Sequence, residues 1–292
     1  MALAVYRPED IERIAAVARR IDGVLAHVTA AAVPGVTPMQ LDAHAREQLA
    51  IAGLESAHEM PVLESGRRAS LLVNINRTAA HGLPTGEPLG SGDVVTLDCA
   101  ARDASGWHAD LARAVVVGRA NAASRGLVLG AGRVTAAAIG AMRAGGRWAE
   151  VVRAARGEAH GLGLAIVPGL GGHGVGRRAH ERPAAIYEPF DPARDDFELR
   201  PGLVLTVEPV VAGGFEPAGP GGVGEGMGEG GCRRVLLTTV DASPGGRVRL
   251  RGAGLCACRE ETVAMTEAGA AVLSGSSMTH CGEGRKTDRP GA

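Results

Sequence analysis

The sequence has few aromatic side chains, a single lysine and almost no net charge. Two Trp, two Tyr and three Phe occur among 292 residues, and Lys286 is the only lysine. The 31 basic and 32 acidic residues are spread along the chain and give a formal net charge of −1. Binding to nucleic acid or to an anionic membrane surface needs a basic patch, which this balance does not supply. We therefore expect no nucleic-acid partner and no membrane partner.

Long apolar runs are missing as well. No stretch reaches the roughly 18 uncharged apolar residues of a membrane span, and the N-terminus carries charges where a signal peptide would need an apolar run. The five cysteines are an odd number in a chain large enough to form its own core, which favours reduced thiols. These features predict a soluble, cytoplasmic protein.

Glycine is the residue in excess, with 44 copies and no regular period. Ten of the nineteen residues at 213–231 are Gly, which predicts an insertion loop. The polar stretch 274–292 predicts a disordered C-terminal tail. We expect one folded domain over residues 1–273.

The hydrophobic period changes along the chain. Apolar residues repeat at three and four positions over 8–32, 37–52 and about 124–162, which predicts helices. Val- and Leu-rich runs predict strands at 94–97, 114–117, 203–207, 235–240 and 261–265. Mixed helices and strands in this order indicate an α+β domain.

Two strand segments resemble each other. GDVVTLD ends at Asp98 and GLVLTVE ends at Glu208, 110 residues later, and helical stretches precede each. We interpret them as a duplicated αβ unit whose halves direct one acid each to a common centre. Chance similarity between two Val- and Leu-rich strands is the alternative.

Acidic and histidine side chains inside apolar runs are the candidate ligands. Asp98 and Asp110 flank a predicted turn, so an antiparallel hairpin would place their carboxylates side by side. Such carboxylates repel each other unless a cation lies between them. His173 lies in a Gly-rich turn, Glu208 ends a strand, and Glu260 precedes another. Four carboxylates and one imidazole are enough to hold two metal ions if some carboxylates bridge.

Five ordered motifs resemble the type I methionine aminopeptidases, a family with the pita-bread fold. They are HGLP at 81–84, the two aspartates at 98 and 110, GHGVGRRAHERP at 172–183, LTVEP at 205–209 and EETVAMTEAG at 260–269. The resemblance covers roughly residues 8–273. It implies a pseudo-twofold αβ unit with a curved, mainly antiparallel sheet covered by helices.

The resemblance also implies residue roles. Asp98 would chelate one metal, His173 and Glu208 the other, and Asp110 and Glu260 would bridge both. A water activated by the two metals would attack the peptide, with Glu208 accepting its proton. His180 would stabilise the oxyanion, and His81 would position the substrate and assist the leaving amine.

The pocket for the substrate side chain departs from the family. Leu72 stands where a Cys is usual, Ala179 where an aromatic residue or Met is usual, and Glu261 where a His follows the last ligand. The resemblance implies that Leu72 and Ala179, with His81 and His180, contact the substrate. The ligand set is complete, whereas the specificity residues are altered.

We expect metal-dependent removal of N-terminal methionine from peptides or nascent proteins, with Co, Mn, Fe or Zn as the two divalent metals. The partners implied are peptide and nascent-protein N-termini, with transient ribosome contact, and the chain is expected to be a monomer. A same-fold peptidase with another specificity, such as Xaa-Pro, is one alternative. A non-catalytic binding protein on this scaffold is the other.

Overall fold

The structure is a computed structural model that describes residues 3–58, 63, 66–213, 237–239, 246–250 and 254–275. Most of the Gly-rich segment, 214–231, and the tail from residue 276 onward lie outside the described residues, as do Cys232 and Cys281. The predicted strand at 235–240 is described only at Leu237–Thr239. Within the described part of the chain, no helix is long and apolar enough to cross a membrane.

Five helices are present in the described residues. They are α1 (Pro8–Ala31), α2 (Pro38–Ile51), α3 (Ala122–Ala141), α4 (Trp148–Gly161) and the short α5 (Pro192–Asp195). Pro8 begins α1, and Glu9 and Asp10 complement the N-terminal end of its dipole. Thr37 and Gln40 form a reciprocal capping box at the start of α2. The helical region predicted at 124–162 is therefore two helices, because the segment 142–147 leaves helical geometry between them.

The strands form four antiparallel sheets among the described residues. Their bounds are β1 Leu54–Ser56, β2 Leu72–Ile75, β3 Thr78–Ala80, β4 Val94–Asp103, β5 His108–Val116, β6 Ala165–Ile166, β7 Gly171–Gly174, β8 Glu181–Ile186, β9 Val204–Val207, β10 Val211–Gly213, β11 Leu237–Thr239, β12 Val248–Leu250, β13 Leu255–Ala257, β14 Glu261–Thr266 and β15 Gly269–Val272. One sheet has the order β1-β4-β2 with β5 paired to β4, and the largest has the order β15-β14-β9-β7-β8. The smaller sheets are β13-β10-β6 and β11-β12-β3.

Each of the two main sheets is covered by its own pair of helices. Helices α1 and α2 pack on the sheet of β4 and β5 and share one apolar cluster with it. Helices α3 and α4 share a second apolar cluster with β9 and β14. This arrangement corresponds to the duplicated unit expected from the two similar strands, because β4 carries Asp98 and β9 leads directly to Glu208.

The two halves meet at residues 110–112 and 260–262. Ala112 and Glu260 form an isolated antiparallel bridge, and the Thr262 hydroxyl both accepts from the Asp110 amide and donates to the Asp110 carbonyl, at 3.0 and 2.8 Å. We call this contact the seam. It brings residues that are about 150 positions apart in the sequence into direct contact.

Candidate metal centre

A cavity of about 440 Å³ opens where the seam joins the two halves. All the predicted metal ligands line it, as do both predicted catalytic histidines: Asp98, Asp110, His173, Glu208, Glu260, His81 and His180. The lining therefore combines side chains from β4, β5 and β7 with residues that immediately follow β9 and precede β14.

Asp98 and Asp110 lie on the same face of the β4–β5 hairpin. Asp98 pairs with Ala112, and Ala100 pairs with Asp110, so the two aspartates are diagonal neighbours. Their carboxyl groups are close enough to affect each other's pKa values. The side-by-side placement expected from the hairpin is confirmed by this register.

His173 reaches the cavity because the backbone beside it carries no side chain. A Cβ on Gly172 would lie 2.0 Å from the Thr206 carbonyl oxygen, so only glycine lets β7 approach β9 this closely. The His173 Nδ1 atom lies 3.0 Å from the Gly174 carbonyl oxygen, which can only accept. Nδ1 therefore carries the proton, and Nε2 offers its lone pair to the cavity. Nε2 lies 3.9 Å from Asp110 Oδ2 and 3.8 Å from Glu208 Oε1.

Thr206 links two of the predicted ligands. Its hydroxyl accepts from the His173 amide at 3.1 Å and donates to Glu208 Oε1 at 3.0 Å. Thr206 is completely buried, and it precedes Glu208 by two positions, so both point from the same side of the extended chain. This threonine was not among the predicted site residues, although it lies within the LTVEP motif.

Burial and mutual repulsion dominate the electrostatics of the carboxyl groups. Burial raises the pKa of Asp98 to about 6. Burial, followed by the charges of neighbouring carboxylates, raises the pKa values of Asp110, Glu208 and Glu260 well above their ordinary values. Burial, with the nearby His180, lowers the pKa of His173 to about 4, so its imidazole is neutral. Concentrated carboxylates and a neutral imidazole are the donor set of a divalent metal.

The donor atoms fit such a metal. One ligand atom each from Asp110, His173 and Glu260 lies within 4.8 Å of the others. Asp110 Oδ1 and Glu260 Oε1 are buried and have no hydrogen-bond partner among the described residues. A buried unpaired carboxylate oxygen is costly, and a bound cation removes that cost. Asp98 and Glu208 line the same cavity and interact electrostatically with Asp110 and Glu260, so the predicted ligands form one cluster.

The two remaining histidines lie at the rim of this cluster. The His180 ring centroid is 4.1 Å from that of His173, with a 40° angle between the planes. His81 has φ of 58°, a left-handed conformation that a non-glycine residue rarely adopts and that occurs at functional sites. The carbonyl oxygen of the next residue, Gly82, accepts a hydrogen bond from the Val73 amide at 2.8 Å, and the Gly82 amide donates to Asn74 Oδ1 at 2.7 Å. These two hydrogen bonds fix the turn.

The structure separates the two predicted specificity residues. Leu72 lines the cavity and pairs directly with Asp98. Ala179 is buried in a small cluster with Ala57 and Ala100, next to the cavity-lining His180. The predicted substrate contacts of these residues stay predictions.

His58 lines the same cavity and was not singled out in the sequence. Its Nε2 atom lies 3.2 Å from the Asp98 carbonyl oxygen and 3.3 Å from the Ala100 nitrogen, and burial lowers its pKa to about 4. The segment around it has no periodicity or motif, so no sequence signal distinguishes His58 from a surface histidine. Cys256 and Cys258 are buried free thiols, and Cys258 also lines the cavity.

Carboxylates and an imidazole gathered at the junction of two αβ halves are the donor set of a metal-dependent hydrolase. The sequence matches metallopeptidase family M24 over residues 12–242. The chain belongs to this family. Glu260 lies beyond that segment, but a relative described next covers 94% of the chain and so includes it.

Individual relatives agree with the family. A methionine aminopeptidase of Aquifex aeolicus is 27% identical over 278 residues, which are 94% of this chain and 99% of the relative. Methionine aminopeptidase 1 of Mycobacterium tuberculosis is 33% identical over 213 residues, covering 69% of this chain and 76% of the relative. The crystal structure of methionine aminopeptidase from Rickettsia prowazekii superimposes with a TM-score of 0.78 at 22% identity, covering 94% of this chain and all of that one. The predicted family and the predicted pita-bread fold are confirmed.

Proposed function

We propose that the protein removes the N-terminal methionine from peptides and nascent proteins. The observation that supports this most directly is the convergence of all the predicted ligands, from both halves of the fold, on one cavity with His81 and His180. The relatives named above are methionine aminopeptidases, which favours methionine over the Xaa-Pro alternative. A non-catalytic binding protein would have no need for the complete ligand set.

The ligand set suits two divalent ions, with Asp110 and Glu260 as bridging residues. Asp98 would complete one site, and His173 with Glu208 the other. When bound, divalent metals lower the pKa of a water molecule and polarise a carbonyl oxygen. Four carboxylates and one imidazole accept Co, Mn, Fe or Zn, and availability selects among them.

The other groups of the cavity supply proton transfer and orientation. Glu208, held by the Thr206 hydroxyl, accepts a proton from the attacking water. His180 donates a hydrogen bond to the oxygen that gains negative charge, and His81 orients the peptide nitrogen and assists its departure. Leu72 and Ala179 shape the space for the substrate side chain, and the carboxylates hold the free α-amine of the substrate.

The proposal includes the setting in which the protein works. Residues 1–273 form one catalytic domain, with 213–231 an insertion loop and 274–292 a tail. We propose a cytoplasmic monomer that acts on emerging N-termini, with transient ribosome contact.

A substrate panel tests the function. Protein loaded with Mn²⁺, Fe²⁺, Co²⁺ or Zn²⁺ is incubated with Met-Ala-Ser, Leu-Ala-Ser and Ala-Pro-Ser peptides, and the released amino acid is measured. Methionine release with a strong preference for Met-Ala-Ser is expected. Preferential cleavage of Ala-Pro-Ser would favour the Xaa-Pro specificity, and release of no residue with any metal would refute the proposal.

A further inference from the structure

A second group of charged side chains lies behind the metal centre. It consists of Asp22 on α1, Arg113 on β5, Arg259, Glu261 on β14 and Ser274, and we call it the rear cluster. Adjacent residues of a strand point to opposite faces. Glu260 therefore points into the cavity, and Glu261 points away from it into the rear cluster.

Glu261 is completely buried, and its charge is balanced there. Its Oε1 accepts from Arg259 Nε at 2.9 Å and lies 3.2 Å from Arg113 Nη2, while its Oε2 accepts from the Ser274 hydroxyl at 2.8 Å. A carboxylate with no exposed surface is tolerated only when it is paired in this way. The negative charge at position 261 is thus compensated on the face opposite the ligands.

Arg113 connects the rear cluster to the seam. Its Nη1 donates to the carbonyl oxygens of Ala112 at 3.0 Å and Glu260 at 2.9 Å, which are the two residues of the isolated bridge. Its Nη2 donates to Asp22 at 2.6 Å and to Glu261 at 3.3 Å. A planar guanidinium can donate these hydrogen bonds in a fixed geometry, which the flexible ammonium group of a lysine cannot do.

We propose that Arg113, held in place by Glu261, is a positioning residue for the metal ligand Glu260. The inference rests on the proposed role of Glu260 as a ligand. Metal ligands must be held within about 0.5 Å of their working geometry, and the groups that hold them change metal affinity by 10–100-fold when they are removed. Arg113 fixes the backbone of Glu260 from behind, and Glu261 keeps the guanidinium in the orientation that reaches it.

The test measures metal affinity rather than turnover alone. Mn²⁺ binding to the metal-free full chain is measured by calorimetry for the wild type, Arg113→Met, Arg113→Lys, Glu261→Gln and Arg113→Met/Glu261→Gln. The Co²⁺ absorption spectrum reports the ligand geometry. Arg156→Met is the matched control, because Arg156 likewise joins a backbone carbonyl, that of Tyr187, to a carboxylate, that of Glu188, but it lies on α4 and does not line the cavity.

We expect Arg113→Met to weaken Mn²⁺ binding by about tenfold or more and to shift the Co²⁺ spectrum. Arg113→Lys should restore part of the affinity, Glu261→Gln should act in the same direction as Arg113→Met, and the double variant should cost less than the sum of its parts. Arg156→Met should leave affinity and spectrum unchanged.

A lower melting temperature with wild-type Mn²⁺ affinity in Arg113→Met and Arg113→Lys would overturn the proposal, since the cluster would then serve stability only. If Arg113→Met does not fold, Arg113→Lys and Glu261→Gln decide the question by the same criterion. A wild-type protein that binds Mn²⁺ and releases no methionine would refute the proposed function and leave this inference to be judged by affinity. A wild type that binds no Mn²⁺ would overturn both.

Discussion

Glu260 and Ala112 exchange two backbone hydrogen bonds, 3.1 and 3.3 Å long, across the seam between the two halves of the fold. The position of the Glu260 carboxylate therefore depends on β5 from one half and on β14 from the other. A side chain held by both halves couples the geometry of the candidate metal centre to the packing of the two sheets.

Variants of Glu260 distinguish its effect on the stability of the metal-free protein from its proposed role as a metal ligand. Glu260→Ala should remove a bridging ligand and lower turnover by at least about 100-fold. Glu260→Gln should weaken Mn²⁺ binding as well, yet raise the melting temperature of the metal-free protein, because glutamine is neutral without taking up the proton that burial and the neighbouring carboxylates force on Glu260 in the folded state. Calorimetry and thermal unfolding measure both effects. Retention of most activity in Glu260→Ala would show that the ligand assignment is wrong.

The sequence identifies the acidic and histidine residues that line the cavity because each lies in a short local motif. The pairing of Asp98 with Asp110 also follows from sequence, since the hairpin register depends only on nearby residues. The compensation of Glu261 does not, because Arg113 is 148 positions away and reaches it only through the seam. The inward placement of His58 is likewise set by packing between distant elements, as is the location of Ala179 beside Ala57 and Ala100.

The carboxyl groups of the candidate metal centre should make the metal-free protein less stable as pH rises. The raised pKa values of Asp110, Glu208 and Glu260 mean that the folded state holds protons that the unfolded state has released, so the free energy of unfolding decreases as pH rises through the folded pKa values. His58 and His173, with pKa values lowered to about 4, act in the opposite direction, but only below their ordinary pKa of about 6.5.

Denaturant unfolding with and without Mn²⁺ measures this dependence. Bound metal neutralises the same carboxylates, so the decrease should be smaller in the loaded protein, and protons should be released on binding. A free energy of unfolding that rises with pH above about 6.5 in the metal-free protein, where His58 and His173 no longer contribute, would contradict the raised carboxyl pKa values.

Gly172→Ala should disrupt the metal centre. The new Cβ would lie 2.0 Å from the Thr206 carbonyl oxygen, so β7 must move away from β9 and take His173 with it. We expect a destabilisation above about 2 kcal/mol and weaker Mn²⁺ binding, measured by denaturant unfolding and calorimetry. Gly126→Ala is the control, because Gly126 lies in α3 with nothing within 4 Å of its Cβ position, and alanine there should stabilise by about 0.5–1 kcal/mol. Equal stability of the two variants would contradict this account.

Tyr6→Phe should reduce turnover without changing metal affinity. The Tyr6 hydroxyl donates to the Glu181 carboxylate at 2.7–2.8 Å and accepts from the Arg177 amide at 3.0 Å, and so holds the loop that carries His180. Its loss should lower kcat severalfold, which is roughly the effect of losing one hydrogen bond. The affinity for Mn²⁺ should stay within twofold of the wild type. An unchanged kcat, or a large loss of Mn²⁺ affinity, would show that this contact does not act through His180.

Leu72→Ala should alter which N-terminal residue is preferred. Leu72 pairs directly with Asp98 in the β2–β4 ladder, so its side chain lies on the cavity face beside a predicted ligand. Shortening it enlarges the space for the substrate side chain, and each lost methylene contact is worth about 1–3 kcal/mol in specificity. We expect kcat/KM for Met-Ala-Ser to fall relative to that for a peptide with a bulkier N-terminal residue, such as Phe-Ala-Ser.

Val73→Ala is the control, since Val73 is buried on the opposite face, among the core residues under α1. It should lower stability but leave the ratio of the two kcat/KM values unchanged, and an equal shift of that ratio in both variants would remove Leu72 from the substrate pocket.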